Sequence, residues 1–291
     1  MIHRKAYAKL DLAIHIEPKK KADGYFPVHY IDCQIDLCDR LDFENQANKI
    51  EVGCDDPSLP EGKDNFVNRA AQLVKKTIGR KSLGAKITLE KNIPIKAGFG
   101  GGSSDAAATI LGLSRLWQVK LDHGQINGMA GQLGKDFYYS LHGKVSEVVG
   151  TGKNYEVMPL GRNLPGFWLL VVVPWEEKPS TSWVYQHLNE KNLGRNFDKI
   201  TKLKTAISKN DKIDILKNIS NDFEESVSLH FPIVSQIRDD LKTAGAQATI
   251  MAGAGLSVVG FFDSLKKAEV AKKKLIRMQD IKQILVTRPV N

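Results

Sequence analysis

One stretch, Lys91 to Trp117, constrains the fold more than any other: KNIPIKAGFGGGSSDAAATILGLSRLW. It predicts a strand ending at Pro94, a loop of glycines, and a helix that Ser103 and Ser104 open and that runs to Trp117. Ile110, Leu113, Leu116 and Trp117 fall on one side of that helix. Glycines let the backbone reach positive φ and let a ligand come close to the amides. The first N–H groups of a helix have no internal partners and carry the positive end of its dipole. The device therefore suits an anion, and phosphate above all. Ser103 or Ser104 can cap the helix, touch a phosphate oxygen, or help hold Mg²⁺. A tight strand-to-helix turn with a serine cap explains the same residues without a ligand. No Gly-Lys-Ser/Thr follows, which excludes a Walker A loop, and the glycine spacing is not that of a dinucleotide fingerprint.

A chain of 291 residues holds one large domain or two ordinary ones. The net charge of 42 − 33 = +9 comes mostly from lysines spread along the chain, with clusters at Lys19-Lys20-Lys21 and Lys272-Lys273-Lys274. Such clusters read as solvated faces or as a field that draws anions. No arginine-rich arm or basic-aromatic run points to nucleic acid. Cys33, Cys38 and Cys54 form no C-x-x-C pair, the pattern of reduced thiols, and the histidines lack metal-ligand spacing. The N-terminus has no signal-peptide core and the run FWLLVVV is too short to span a bilayer. A soluble, cytoplasmic protein is expected, a monomer or homodimer without nucleic-acid or membrane partners.

Alternation marks AYAKLDLAIHIE as a strand and VHYIDCQIDLCDRLDFE as one or two more. DNFVNRAAQLVKKTIG reads as a helix capped by Asp64 or Asn65 and ended by Gly79. LGAKITLEKNIP returns to strand, and HGQINGMAGQLG is a short helix. Near residue 160 the pattern changes. GFWLLVVVP is a fully buried strand. Helical segments follow in STSWVYQHLNEK, across 198–219, and in FPIVSQIRDDLKTAG. QATIMAGAGLSVVGFF is two strands around a small-residue turn, LKKAEVAKKKLIRM a helix, and QILVTRP a closing strand. Mixed strands and helices without strict alternation give an α+β class with a break near 160.

IPIKAGFGGGSSDAAA resembles the second motif of the GHMP kinase superfamily, which includes galactokinase, homoserine kinase and mevalonate kinase. Three glycines with Ser-Ser-Asp-Ala-Ala are similar to one branch, whose acceptor is a cytidine-diphosphate-linked alcohol of the non-mevalonate isoprenoid pathway. AKLDLAIHI, KADGYFPVHYIDCQIDLCDRLDF, DNFVNRAAQLV, LGKDFYYSLHG, PSTSWVY, NDFE and AGAQATIMAGAGLSVVGFF resemble further segments of that branch, in order along nearly the whole chain.

The resemblance implies a two-domain GHMP fold: residues 1–160 an ATP-binding domain like domain 2 of ribosomal protein S5, residues 161–291 a ferredoxin-like domain. It implies an ATP-dependent kinase for a small alcohol, with Mg²⁺. ATP contacts would come from Asn65, Pro94, Lys96, Gly98, Gly100, Gly101, Gly102, Ser103 and Ser104, with Ser104 also a candidate Mg²⁺ ligand. Asp136 would be the catalytic carboxylate and Lys9 would hold it ionised and stabilise developing charge. Asp11, Tyr25, Phe26, Thr181, Tyr185, Gly253 and Gly255 would meet the alcohol. Read without the resemblance, Asp136 is a cap, Lys9 a solvated lysine, Asn65 an N-cap, and Gly253-Ala254-Gly255 a hairpin turn.

The departures from the branch cluster on the alcohol side. Phe26 stands where the branch has a histidine that recognises cytosine beside the tyrosine, here Tyr25. Asp11 replaces an asparagine, Ala252 and Ala254 replace serines, Lys135 and Phe137-Tyr138-Tyr139 replace smaller residues, and Lys96 and Phe99 replace glycine and leucine. Two other readings stay open: a paralogue for a different small or phosphorylated alcohol, and a nucleotide-binding homologue without turnover.

Overall fold

The structure, a computed structural model, describes every residue except Glu61, Lys135, Lys153 and Asn291. In chain order its elements are β1 (Ile2–Ile16), β2 (Val28–Ala47), β3 (Ile50–Cys54), α1 (Phe66–Ile78), β4 (Leu83–Glu90), α2 (Gly101–Leu116), α3 (His123–Ala130), α4 (Asp136–His142), β5 (Ser146–Thr151), β6 (Asn154–Pro159) and β7 (Trp168–Pro174). There follow α5 (Thr181–Gln186), α6 (Phe197–Ser208), α7 (Lys212–Asn218), β8 (Ser220–Asn221), α8 (Glu224–His230), α9 (Ile233–Thr243), β9 (Ala248–Met251), β10 (Val258–Phe262), α10 (Leu265–Leu275) and β11 (Ile281–Thr287). The mixed α+β class expected from the sequence is the class observed. Two compact units interleave along the chain. One comprises Met1–Ala8, Leu37–Pro94 and Gly100–His142, the other Lys9–Asp36, Ile95–Phe99 and Gly143–Asn291.

In the first unit the second half of β2 pairs antiparallel with β4, from Arg40 opposite Glu90 to Ala47 opposite Leu83, and β3 runs parallel to β4. Their inward residues Leu41, Phe43, Ile87 and Leu89 meet Ala70 and Val74 of α1 and Ala106, Ile110 and Leu113 of α2 in one core. Burying each of the larger side chains stabilises the unit by about 2 kcal/mol. Helix α1 begins where Asn65 Oδ1 accepts from the Val67 N–H at 2.8 Å and ends at Gly79, φ 74°.

Two local expectations are corrected. The strand expected to reach Pro94 stops at Glu90, because Asp39 Oδ1 accepts the N–H groups of Asn92 (2.6 Å) and Ile93 (2.8 Å) and takes them out of any ladder. Helix α2 starts at Gly101, not Ser103, with Gly100 as its N-cap in the left-handed region (φ 67°) and no side-chain cap bond.

In the second unit the continuously apolar β7 lies inside an antiparallel sheet of order β11-β7-β10-β9. Counting β7, β9, β10 and β11 as first to fourth, the order is 4-1-3-2, the split βαβ arrangement of a ferredoxin-like sheet. Helices α9 and α10 pack on it, and Phe167 meets Phe261 edge-on at 5.6 Å. The first half of β2 pairs with β5, which forms a hairpin with β6. The two-residue β8 runs parallel to β1, Asn221 opposite Ile14. No helix among the described residues is long and apolar enough to cross a membrane.

Candidate active site

The first unit carries the glycine cradle. Gly100 turns the chain into α2, so the N–H groups of Gly101, Gly102 and Ser103 open the helix, while Ser104 N–H already bonds to Gly100 O at 3.0 Å. Three amides with no partner inside the helix, at the positive end of its sixteen residues, suit an anion such as phosphate. The serine hydroxyls do not cap. Ser103 Oγ donates to Leu133 O (3.4 Å) and the buried Ser104 Oγ to Tyr7 O (2.8 Å), which leaves lone pairs on each oxygen. Asn65 sits at the start of α1, and its cap uses Oδ1 alone. Asp136 is the first residue of α4, half-buried, in a helix anchored by the buried Phe137 and Tyr139. Among the described residues no three His, Cys, Asp or Glu side chains gather to hold a metal. Lys135, the expected departure next to Asp136, lies outside the described residues.

Behind the cradle is an ionic group that sequence reading passed over. The buried Lys91 ammonium donates to Asp39 and to Asp105 Oδ2 (2.8 Å), tying the middle of β2 and the loop before α2 to that helix. Burial, opposed by Lys91 and helped by Asp39, pushes the Asp105 carboxyl up to about 8. Its two partners hold the Lys91 ammonium above its usual value against burial.

The second unit carries residues that the sequence places as candidates on the alcohol side. On β1 the Lys9 ammonium pairs with Asp11 Oδ1, and both side chains are buried. Lys9 Nζ also lies 5.7 Å from the centre of the Tyr30 ring. Tyr30 shares a hydrogen bond of 3.3 Å with Tyr185, and burial pushes its hydroxyl well up, so it stays protonated. Tyr185 lies nearly parallel to Phe26, ring centres 6.5 Å apart at 16°. Phe26 is only 6% exposed, and the Lys20 ammonium stands 4.8 Å from its centre.

Asp11 Oδ2 faces the small-residue turn: a β-carbon on Gly253 would lie 3.2 Å from it. The segment Ile95–Phe99 passes between strand and turn. Lys9 N–H donates to Phe99 O at 3.0 Å, and Gly98 (φ 98°) runs so close to Ala252 O that no side chain fits. Gly255 approaches Ala97 O in the same way.

The structure therefore joins Lys9, Asp11, Tyr30, Tyr185, Phe26, Gly98 and Gly253 through direct contacts, and sets other candidates apart from them. Tyr25 is 55% exposed, and its N–H donates to Asp23 Oδ1 at 3.0 Å. Thr181 is exposed at the start of α5 beside Lys178, and Lys96 is exposed and paired with Glu177 at 3.0 Å. Tyr30 and Asn221 were missed. Tyr30 follows in the segment that holds Tyr25 and Phe26, and Asn221 opens NDFE, so each lay inside a quoted segment without a role.

The GHMP kinases N terminal domain matches residues 65–144. A 4-diphosphocytidyl-2-C-methyl-D-erythritol kinase of Synechococcus sp. (strain JA-3-3Ab) is 33% identical over 93% of this chain and 88% of its own. One of Chloroherpeton thalassium is 36% identical over 90% of each. A crystal structure of 4-(cytidine 5'-diphospho)-2C-methyl-D-erythritol kinase superposes with a TM-score of 0.81 at 26% identity, over 100% of both chains. The chain belongs to the family of 4-diphosphocytidyl-2-C-methyl-D-erythritol kinases, within the GHMP kinases.

Proposed function

We propose that the chain transfers the terminal phosphoryl group of ATP to a hydroxyl of 4-diphosphocytidyl-2-C-methyl-D-erythritol, giving its 2-phosphate in isoprenoid precursor synthesis. The likeness over 93% of the chain to a kinase of that name carries the substrate assignment. The triphosphate rests on Gly100, Gly101, Gly102, Ser103 and Ser104, with Pro94, Lys96 and Gly98 along the same loop and the Asn65 amide nitrogen toward adenine. Ser104 would hold Mg²⁺, which when bound would supply positive charge to neutralise the transferring group. The acceptor oxygen forms a bond to the γ-phosphorus as the bond to the β,γ-bridging oxygen breaks, and ADP leaves. Asp136 orients the hydroxyl and takes its proton. The Lys9 ammonium stabilises charge on the reacting oxygens. Tyr25, Phe26, Thr181 and Tyr185 hold the base end, and Asp11, Gly253 and Gly255 the alcohol end. The enzyme works in the cytoplasm as a monomer or homodimer, without nucleic acid or membrane.

A second reading has its own support. Phe26 offers the base no hydrogen bond, and Asp11 offers only acceptors. Both features suit a paralogue acting on another alcohol. Phosphorus NMR of the product decides between them. A new phosphomonoester on the methylerythritol is expected, and its absence while another alcohol is phosphorylated would favour the paralogue.

A further inference from the structure

Asn221 is 8% exposed and stands on β8, opposite Ile14 of the strand that carries Lys9 and Asp11. Its side-chain amide is fully engaged. Nδ2 donates to Met251 O at 2.9 Å and to Gly253 O at 2.7 Å, while Oδ1 accepts from Phe223 N–H at 2.9 Å. Its neighbours hold the same two elements: Asp222 Oδ2 accepts from Ile16 N–H of β1 at 2.8 Å, and Glu224 Oε2 from Met251 N–H at 3.2 Å.

A peptide unit is planar and trans, so its C=O and N–H point in opposite directions. Met251 O faces Asn221, and the N–H of the same unit, on Ala252, points the other way and donates to Ser257 O at 2.8 Å. The next unit but one is held by the same nitrogen. Gly253 O faces Asn221, so the Ala254 N–H is turned away from it, at the turn that borders Asp11 Oδ2. Ala252 and Ala254 bring no side-chain donor to that turn, and main-chain N–H groups are its polar resource.

We infer that Asn221 is a positioning residue for phosphoryl transfer: it fixes the Gly253–Ala254 peptide so that the Ala254 N–H donates to the acceptor substrate. This rests on the kinase reading above. The substitution Asn221→Asp would set an oxygen against two carbonyls with the shape unchanged, and Asn221→Ala would remove the clamp without that repulsion.

The test is steady-state kinetics of Asn221→Asp and Asn221→Ala with 4-diphosphocytidyl-2-C-methyl-D-erythritol. The KM for the alcohol should rise about 10-fold or more while that for ATP changes less than about 2-fold. Equal effects on both substrates, or none, would overturn the inference. Should neither variant fold, hydrogen exchange of the Ala254 amide in the wild type decides: it should slow when the alcohol is added, and an unchanged rate would overturn the inference. Absence of wild-type turnover with this alcohol counts against the substrate assignment alone, and the same split is then read with whichever alcohol is phosphorylated. If no alcohol is phosphorylated, both readings fall.

Discussion

Asp11 gives one carboxylate oxygen to the Lys9 ammonium and keeps the other, Oδ2, buried without a hydrogen-bond partner among the described residues. An unpaired buried oxygen is costly, and a substrate hydroxyl donated to it would remove the cost. The pair is also a stability element. Asp11→Ala takes this anion away from the buried Lys9 ammonium, and unfolding free energy should fall by about 3 kcal/mol. Asp11→Asn, whose carbonyl oxygen can still accept from Lys9, should lose less. Denaturant titration of both variants checks this, and equal losses would show that the contact with Lys9 is not what holds the pair.

Tyr185 joins three rings to the site. It lies parallel to Phe26, meets Phe223 edge-on at 5.0 Å, and shares a hydrogen bond with Tyr30. Tyr185→Ala should raise the KM for the cytidyl alcohol about 10-fold with little change for ATP, because aromatic pairs of this kind are worth about 1 kcal/mol each. Tyr185→Phe keeps both ring contacts and should stay near wild type. A loss as large in the phenylalanine variant would move the weight from the rings to the hydroxyl.

Asp136→Asn removes a proton acceptor and leaves the glycine cradle untouched. Turnover should fall at least about 100-fold. Calorimetry with a non-hydrolysable ATP analogue should give wild-type affinity. Activity near wild type would rule out the proposed role of Asp136.

Asp105 sets a pH dependence of stability. Its carboxyl is raised from 3.8 to about 8, chiefly by burial and also by Asp39, with Lys91 opposing. The folded protein keeps a proton that the unfolded chain releases. Its contribution is therefore fully present below the unfolded value and lost as pH rises through about 8. Wild-type unfolding free energy should decline from about pH 4 to about pH 8 and level off above that, and Asp105→Asn should flatten that slope. Parallel pH profiles for the two proteins would mean that another group titrates.

What the sequence showed follows from how local each signal is. Asn65, the apolar spacing of α1 and Gly79 all act within one helix, and that helix formed as expected. GFWLLVVVP is apolar throughout because β7 is buried within its sheet, and that too was legible. The end of β4 and the start of α2 were misplaced for a tertiary reason. Asp39, 53 positions before Asn92, captures the amides that would have extended the strand. The serines turn to Leu133 O and Tyr7 O instead of capping. Asn221 was invisible as a clamp because its acceptors lie 30 and 32 positions away. Lys9 and Asp11 were each candidates, but their pairing was not foreseen: a lysine and an aspartate two apart on a strand give no sign that both are buried.

The most direct measurement is ATP consumption against a panel of alcohols: 4-diphosphocytidyl-2-C-methyl-D-erythritol, mevalonate, phosphomevalonate and homoserine. Turnover with the cytidyl compound, and with none of the others at a comparable kcat/KM, is expected. No turnover with it, alongside turnover of another member of the panel, would contradict the assignment of the acceptor.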